Sequence, residues 1–210
     1  IGQEAFKGCT GLISVTIGDS VSSLGISAFY GCTSLETMSI PDSVTSIYGS
    51  AFRSCTKLES VTIMGSVTHM GTYVFRDCTS LKSVTFLGPG TIIGSRTFQA
   101  CTSLENVTMS NTVTSIGGSA FLDCRGLTSI TIPDSVTSIA ESAFYDSNKL
   151  AFVTIGNSLT SLGNYAFGGC TSLTSINIPE SVTSMGTNVF QNTHANLVCN
   201  KTCNPGAAAP

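Results

Sequence analysis

The chain contains no tryptophan and carries little charge. Only 10% of its 210 residues are Asp, Glu, Lys or Arg, and the formal net charge is −3. Nucleic-acid-binding proteins need a dense basic surface to neutralise phosphates, so this composition excludes that class of partner. No apolar run approaches the ~18 residues that a membrane-spanning helix requires, so we expect no membrane span.

Residues typical of catalysis are scarce as well. His69 and His194 are the only histidines, and neither is spaced with Ser, Cys or Asp in a known catalytic arrangement. Carboxylates recur at one turn position, but Gly or Asn takes that position in other repeats, which indicates turn formation rather than calcium binding. We therefore expect no catalytic residue, no metal site, no cofactor and no enzymatic activity.

The sequence instead contains an internal repeat of 23 residues. One column of the repeat is always Phe: Phe6, Phe29, Phe52, Phe75, Phe98, Phe121, Phe144, Phe167 and Phe190. A second column is Cys in every repeat except one: Cys9, Cys32, Cys55, Cys78, Cys101, Cys124, Ser147 and Cys170. Leu occupies a third column without interruption. A fixed period of this length predicts a solenoid, here of about nine coils.

The pattern within one repeat predicts the local structure of a coil. Residues 127–132 alternate apolar residues with Ser and Thr, as expected for a strand with one face buried. Residues 133–135 form a turn, and residues 136–139 form a second short strand. Residues 117–124 lack alternation, which suggests a helical turn. Stacked coils would then form a parallel sheet, with the Phe rings in contact inside the solenoid.

The cysteine column indicates buried thiols rather than disulfides. Because Ser147 replaces Cys in one coil, the position suits a small buried group that bonds to the backbone. Disulfides between adjacent coils remain the alternative, although the Cα spacing is near the lower limit for a bridge. Cys199 and Cys203 lie outside this column, four residues apart, and we expect them to form a disulfide.

Residues 124–133 and 135–144 closely resemble the BspA-like (Treponema-type) leucine-rich repeat, and the resemblance extends from residue 1 to about residue 190. It implies a leucine-rich-repeat solenoid, a mainly β or α-β architecture of short strands and helical turns. Members of this family are secreted or cell-surface proteins, so the resemblance implies an extracellular or cell-surface location. It also implies adhesion to matrix or host proteins, or attachment between cells, and supplies no catalytic motif.

Two segments are expected on this basis. Residues 1–190 form the solenoid, truncated at its N-terminal end because the chain starts within a repeat, and residues 191–210 form a C-terminal cap and flexible tail. Asn106 and Asn200 each begin an Asn-X-Thr sequon. Both are candidate glycosylation sites if the protein follows a eukaryotic secretory route.

The outward strand positions are columns of Ser and Thr, interrupted by Phe152. An exposed ring on a rigid sheet could anchor a partner, although the ring could instead fold against Leu150 or a neighbouring coil. The candidate binding residues on this surface are Phe152, Thr131, Thr154, Asn106 and Asn177. A further Thr column, which includes Thr91, is expected to face outward from the second strand.

These observations favour a non-enzymatic binding or adhesion scaffold that recognises a protein or glycan through its strand face. One alternative is a structural protein that self-associates into a filament or coat, because solenoid ends expose apolar core and strand edges. A third hypothesis is ice binding by the regular Thr columns, for which the strand preference of Thr is the competing explanation.

Overall fold

The computed structural model describes residues 1–111 and 113–200, which form a parallel β-solenoid of about eight turns. Each full coil contributes one strand to each of two faces. We call the first set of strands the strand face: β2 (Thr37–Ile40), β4 (Ser60–Ile63), β6 (Ser83–Phe86), β8 (Asn106–Met109), β10 (Ser129–Ile132), β12 (Phe152–Ile155), β14 (Ser175–Ile176) and β16 (Val198–Cys199).

The second face consists of shorter strands that follow the turn in each coil: β1 (Ser23–Leu24), β3 (Ser46–Ile47), β5 (His69–Met70), β7 (Thr91–Ile93), β9 (Val113–Ile116), β11 (Ser138–Ile139), β13 (Ser161–Leu162) and β15 (Ser184–Met185). Paired strands on both faces are parallel and usually join residues 23 apart, as in Ser129 with Phe152. The period of the sequence is therefore the register of the sheets, as predicted.

The expected helical turn is wrong, because no helix occurs within the described ranges. The segment that follows the second strand is instead a tight turn with two positions per coil in the left-handed region, at φ of 54–72°. This turn segment hydrogen-bonds to the next coil: the amides of Ser27, Phe29 and Gly31 donate to carbonyls of residues 49, 51 and 53 at 2.7–3.0 Å. A helix would use these donors internally, whereas the turn uses them to join coils.

The phenylalanine column forms a continuous stack through the core. Neighbouring rings lie 5.0–5.8 Å apart between centroids, with planes within 14° of parallel. All nine belong to the stack, and only Phe6 in the first coil is substantially exposed, at 36%. Phe86, outside the column, packs edge-on against Phe98 at 6.1 Å. The predicted contact between rings is confirmed.

The regular geometry is interrupted at one position on the second face. Thr91 was expected to face outward, but it is fully buried, and its hydroxyl donates to the carbonyl of Gly88 at 3.1 Å. The other coils place Val, or Leu in one coil, at the preceding position, whereas this coil has Gly90, which leaves the inward site empty. Thr91 fills it by pairing with Val113, and the register shifts before Ile92, which becomes 40% exposed.

The strand face continues past residue 190. Strand β16 pairs with β14 in the same 23-residue register, Ser175 with Val198 and Ile176 with Cys199. Cys199 therefore departs from the cysteine column but occupies the next inward strand position. The segment expected to be a cap thus carries one more strand of the solenoid.

Candidate binding surface

The strand face presents short polar side chains over most of its length, and its C-terminal end differs. Phe152 is 71% exposed, so its ring does not fold back against Leu150 or a neighbouring coil. Two strands away, Val198 occupies the equivalent outward position and is 69% exposed. Ser175 lies between them. A large apolar side chain, a small hydroxyl and a second apolar side chain therefore follow one another across the sheet.

This arrangement forms a shallow groove of about 420 Å³. Phe152 and Val198 flank it, and its lining includes Ile176 and Asn177. Because adjacent strands are ~4.8 Å apart, the two apolar side chains stand ~10 Å apart. A flat group such as an aromatic ring or a sugar ring fits in that interval, where Phe152 offers a ring face and Asn177 offers hydrogen bonds.

Asn200 fixes the outer edge of the groove. Its side-chain oxygen accepts from the Ile178 amide at 2.7 Å, and its side-chain nitrogen donates to the Ile178 carbonyl at 3.0 Å. The amide of one side chain thus satisfies both backbone polar groups of Ile178, as pairing with a further strand would. This pairing holds the chain after β16 against the sheet and occupies the nitrogen to which a glycan would attach.

The other predicted residues separate into two groups. Thr154 and Asn177 line the groove with Phe152. Asn106 and Thr131 are exposed on β8 and β10, outside the groove, and the ladder of paired strands stops between these two strands. The proposed binding residues therefore do not form one site: three are brought together, whereas Asn106 is exposed and remains only a candidate glycosylation site.

The hydroxyl columns are not a continuous lattice. Phe152 interrupts the first column, and Thr91 is missing from the outer surface of the second face. Paired strands stop between β8 and β10, between β12 and β14, and between β5 and β7. Ice binding by ordered Thr rows requires an unbroken flat array. This geometry counts against that hypothesis.

The cysteine column forms what we call the thiol ladder. Each buried Sγ donates to the carbonyl of the Phe in the preceding coil at 3.1–3.3 Å; these thiols are Cys32, Cys55, Cys78, Cys101, Cys124 and Cys170. Ser147 makes the same bond with its hydroxyl at 2.9 Å. All six thiols are free, as is the exposed Cys9. The expectation of buried thiols bonded to the backbone matches this geometry.

Five of the six buried thiols have a raised pKa, which makes them poor nucleophiles. Burial raises the pKa of Cys32 to about 11, and burial raises the pKa of Cys78, Cys101, Cys124 and Cys170 well above the ordinary thiol value. A reactive cysteine needs a lowered pKa, so the ladder has a structural role.

The two histidines lie in separate places. The ring centroids of His69 and Tyr48 are 5.2 Å apart, and His194 Nδ1 accepts a hydrogen bond from the Asn196 amide at 3.2 Å.

Two further expectations concern metals and the terminal disulfide. Within residues 1–111 and 113–200, no group of three or more His, Cys, Asp or Glu side chains is arranged to hold a metal ion. Cys199 is disulfide-bonded. Its expected partner Cys203 lies outside the described residues, so the pairing itself stays a prediction. The described part of the chain also has no helix long and apolar enough to cross a membrane.

A model of the BspA-type leucine-rich-repeat region, in six copies, matches residues 1–101 and 91–202. The chain belongs to this family. A search of curated proteins finds no match. Among solved structures, this BspA-type chain is similar to a leucine-rich repeat protein from Bacteroides ovatus, with 26% identity and a TM-score of 0.57 over 93% of this chain and 62% of that one. It is also similar to the leucine-rich repeat protein of T. pallidum, with 27% identity and a TM-score of 0.54 over 82% of this chain and 70% of that one.

The present chain thus spans less than two thirds of the Bacteroides ovatus protein. The BspA-type repeat accounts for the fold, and the family and its structural neighbours are repeat scaffold proteins. The sequence pattern identified Phe152 but not Val198, since the coil before the last strand keeps Phe190 but has Thr193 in the Cys column. The signal was present, because Val198 lies 23 residues after Ser175.

Proposed function

We propose that this protein is a secreted or cell-surface binding scaffold that recognises a protein or glycan through the groove between Phe152 and Val198. The observation that carries the proposal is the exposure of these two apolar side chains, 71% and 69%, on opposite sides of Ser175. Neither side chain is buried, so packing of the core does not explain their presence on the surface. Exposed aromatic side chains on rigid sheets are typical anchors of binding interfaces.

The support beneath each wall of the groove favours this role. One wall stands on β12, which pairs with β10, and the other on β16, which pairs with β14; β12 and β14 are not paired with each other, and stacked Phe rings lie beneath both walls in the core. A preorganised site loses little conformational entropy on binding. The nearby Thr154 and Asn177 supply hydrogen-bonding groups that would orient the bound group.

The test is a binding screen with a matched pair of variants. Purified protein would be screened against immobilised matrix proteins (collagen, fibronectin and laminin) and an array of neutral and acidic oligosaccharides. Phe152→Ser restores the residue that Ser129 and Ser175 place in the same column, so it removes the ring without creating a cavity. Leu87→Ser is the control, because Leu87 is 53% exposed but lies outside this groove.

We expect Phe152→Ser to weaken the strongest interaction at least about tenfold, the loss expected for an aromatic anchor, and Leu87→Ser to leave it unchanged. Equal binding by both variants would overturn the proposed groove. Light scattering on the same samples addresses the alternative function: growth into long particles, abolished by neither variant, would indicate self-assembly instead.

A further inference from the structure

Three of the four arginines of the chain gather around one tyrosine on the turn segment, away from the strand face. The guanidinium carbons of Arg53, Arg76 and Arg96 lie 5.8, 5.2 and 5.5 Å from the ring centroid of Tyr73. Arg96 also donates from Nη1 to the Tyr73 hydroxyl at 3.1 Å. Cation–π contacts of this kind hold guanidinium groups in place and leave their edges available.

The positive charge of this arginine cluster is only partly balanced. Asp77 Oδ2 lies 3.5 Å from Arg53 Nε and 3.3 Å from Arg76 Nε, so one carboxylate serves two cations. Neither Nε atom makes a hydrogen bond, although both are buried. Among the described residues, Arg96 makes no ion pair within 4.0 Å. The cluster therefore carries a local excess of positive charge in a chain whose net charge is −3.

A polar groove of about 360 Å³ begins at Arg96. It is lined by three hydroxyls, one carboxylate and one glycine in addition to that arginine: Ser95, Ser119, Ser142, Glu141 and Gly118. No exposed large apolar side chain contributes to this groove or to the cluster. Sugars are bound by such arrays of hydroxyl and carboxylate groups, whereas protein interfaces usually centre on buried apolar anchors.

We propose that the arginine cluster and the adjoining groove bind an acidic glycan, a sulfated or carboxylated oligosaccharide. The arginines take the sulfate or carboxylate groups, because planar guanidinium groups bind such oxyanions with paired hydrogen bonds. The serine hydroxyls and Glu141 take the sugar hydroxyls of the neighbouring residue. This second site is independent of the groove at Phe152, since the two share no residue.

The test measures binding of four oligomers of matched length by titration calorimetry at low and physiological salt. The probes are a heparin-derived hexasaccharide, an unsulfated polyuronate, neutral maltohexaose and a short single-stranded DNA. Arg96→Gln removes an exposed charge of the cluster. Arg125→Gln is the matched control, because Arg125 is the fourth arginine and pairs with Asp123 outside the cluster. Circular dichroism verifies that both variants are folded.

The proposal predicts that one of the two acidic glycans binds and that Arg96→Gln weakens its affinity about tenfold, the loss expected for one charge-assisted contact, while Arg125→Gln does not. The Phe152→Ser variant should bind the same glycan normally. Equal losses in both arginine variants, equal binding of the neutral oligosaccharide, or equal or tighter binding of the DNA would each overturn the proposal. No binding of either acidic glycan by the folded protein would overturn it too.

Discussion

The inner and outer columns of this solenoid obey the same 23-residue register but behave differently. Inside, the same side chain recurs in nearly every coil, the rings of neighbouring coils stack, and each buried thiol donates to a backbone carbonyl of the preceding coil. Outside, the strand face repeats small hydroxyls that need no particular partner, and a single departure such as Phe152 stands clear of the surface. Repetition inside generates stability, whereas departure from repetition outside forms the groove that we propose as a binding site.

The comparison also explains why the two faces tolerate change differently. A substitution inside disturbs two neighbouring coils at once, because each coil buries its apolar face only against its neighbours. A substitution outside changes one surface position. The following predictions test that contrast in order of decreasing effect.

Truncation of one central ring should give the largest loss. Phe98 is fully buried, stacks on Phe75 and Phe121, and contacts Phe86 edge-on. We expect Phe98→Ala to lower the free energy of unfolding by ~3–5 kcal/mol, through lost burial and the cavity left behind. Urea denaturation measures this directly. A loss below ~1 kcal/mol would mean that the stack is not the main source of stability.

The thiol ladder should make the protein sensitive to alkali. Burial raises the pKa of Cys124 well above the ordinary value of 9.0, so above that pH the unfolded chain releases a proton that the folded chain retains. Stability is therefore full below pH 9.0 and falls as pH rises, by up to ~1.4 kcal/mol per pH unit for each such thiol. Cys124→Ser should make this decline shallower by about that amount in denaturation series across alkaline pH; an unchanged slope would contradict the pKa shift.

At neutral pH the same ladder position should distinguish hydroxyl from methyl. Cys124→Ser retains a donor to the Phe98 carbonyl, as Ser147 does for Phe121, whereas Cys124→Ala removes it. We expect Ala to be less stable than Ser by ~1 kcal/mol, the usual net worth of a buried hydrogen bond. Ser147→Cys is the matched control and should change little. Equal stability of the Ala and Ser variants would show that the bond is not needed.

Thiol reagents should distinguish the exposed cysteine from the buried ones in the native protein, and labelling of the exposed one should leave the free energy of unfolding unchanged. Cys9 is exposed and free, whereas the six other free thiols are fully buried. The native protein should therefore react rapidly at Cys9 alone among these seven, and the rest should react only on unfolding. Mass spectrometry of the labelled peptides identifies the sites. Rapid labelling of Cys78 in the native state would contradict the closed core.

The sequence predicted the interior well because the interior repeats. The Phe and Cys columns fix both the register and the identity of the buried groups, and Ser147 alone indicated the backbone bond. The turn segment was predicted wrongly because absence of alternation does not distinguish a helix from a turn whose left-handed positions are filled by residues such as Ser27 and Arg96. Thr91 was misplaced because its burial depends on the empty space beside Gly90.

The exterior was less predictable for a physical reason. A groove of this kind needs two departures from the repeat at the right separation, and Val198 follows a segment in which Phe190 is kept but Thr193 replaces the Cys of the column. Its pairing with Ser175 continues the 23-residue spacing, which the loss of the Cys obscured.

The most direct test of the contrast is the free energy of unfolding of Phe152→Ser, measured by urea denaturation beside that of Phe98→Ala. We predict that the free energy of unfolding of Phe152→Ser stays within ~0.5 kcal/mol of that of the native protein, as expected for an exposed residue, while that of Phe98→Ala falls by several times that amount. Destabilisation of Phe152→Ser comparable to that of Phe98→Ala would contradict the account, because Phe152 would then belong to the core and not to a binding surface.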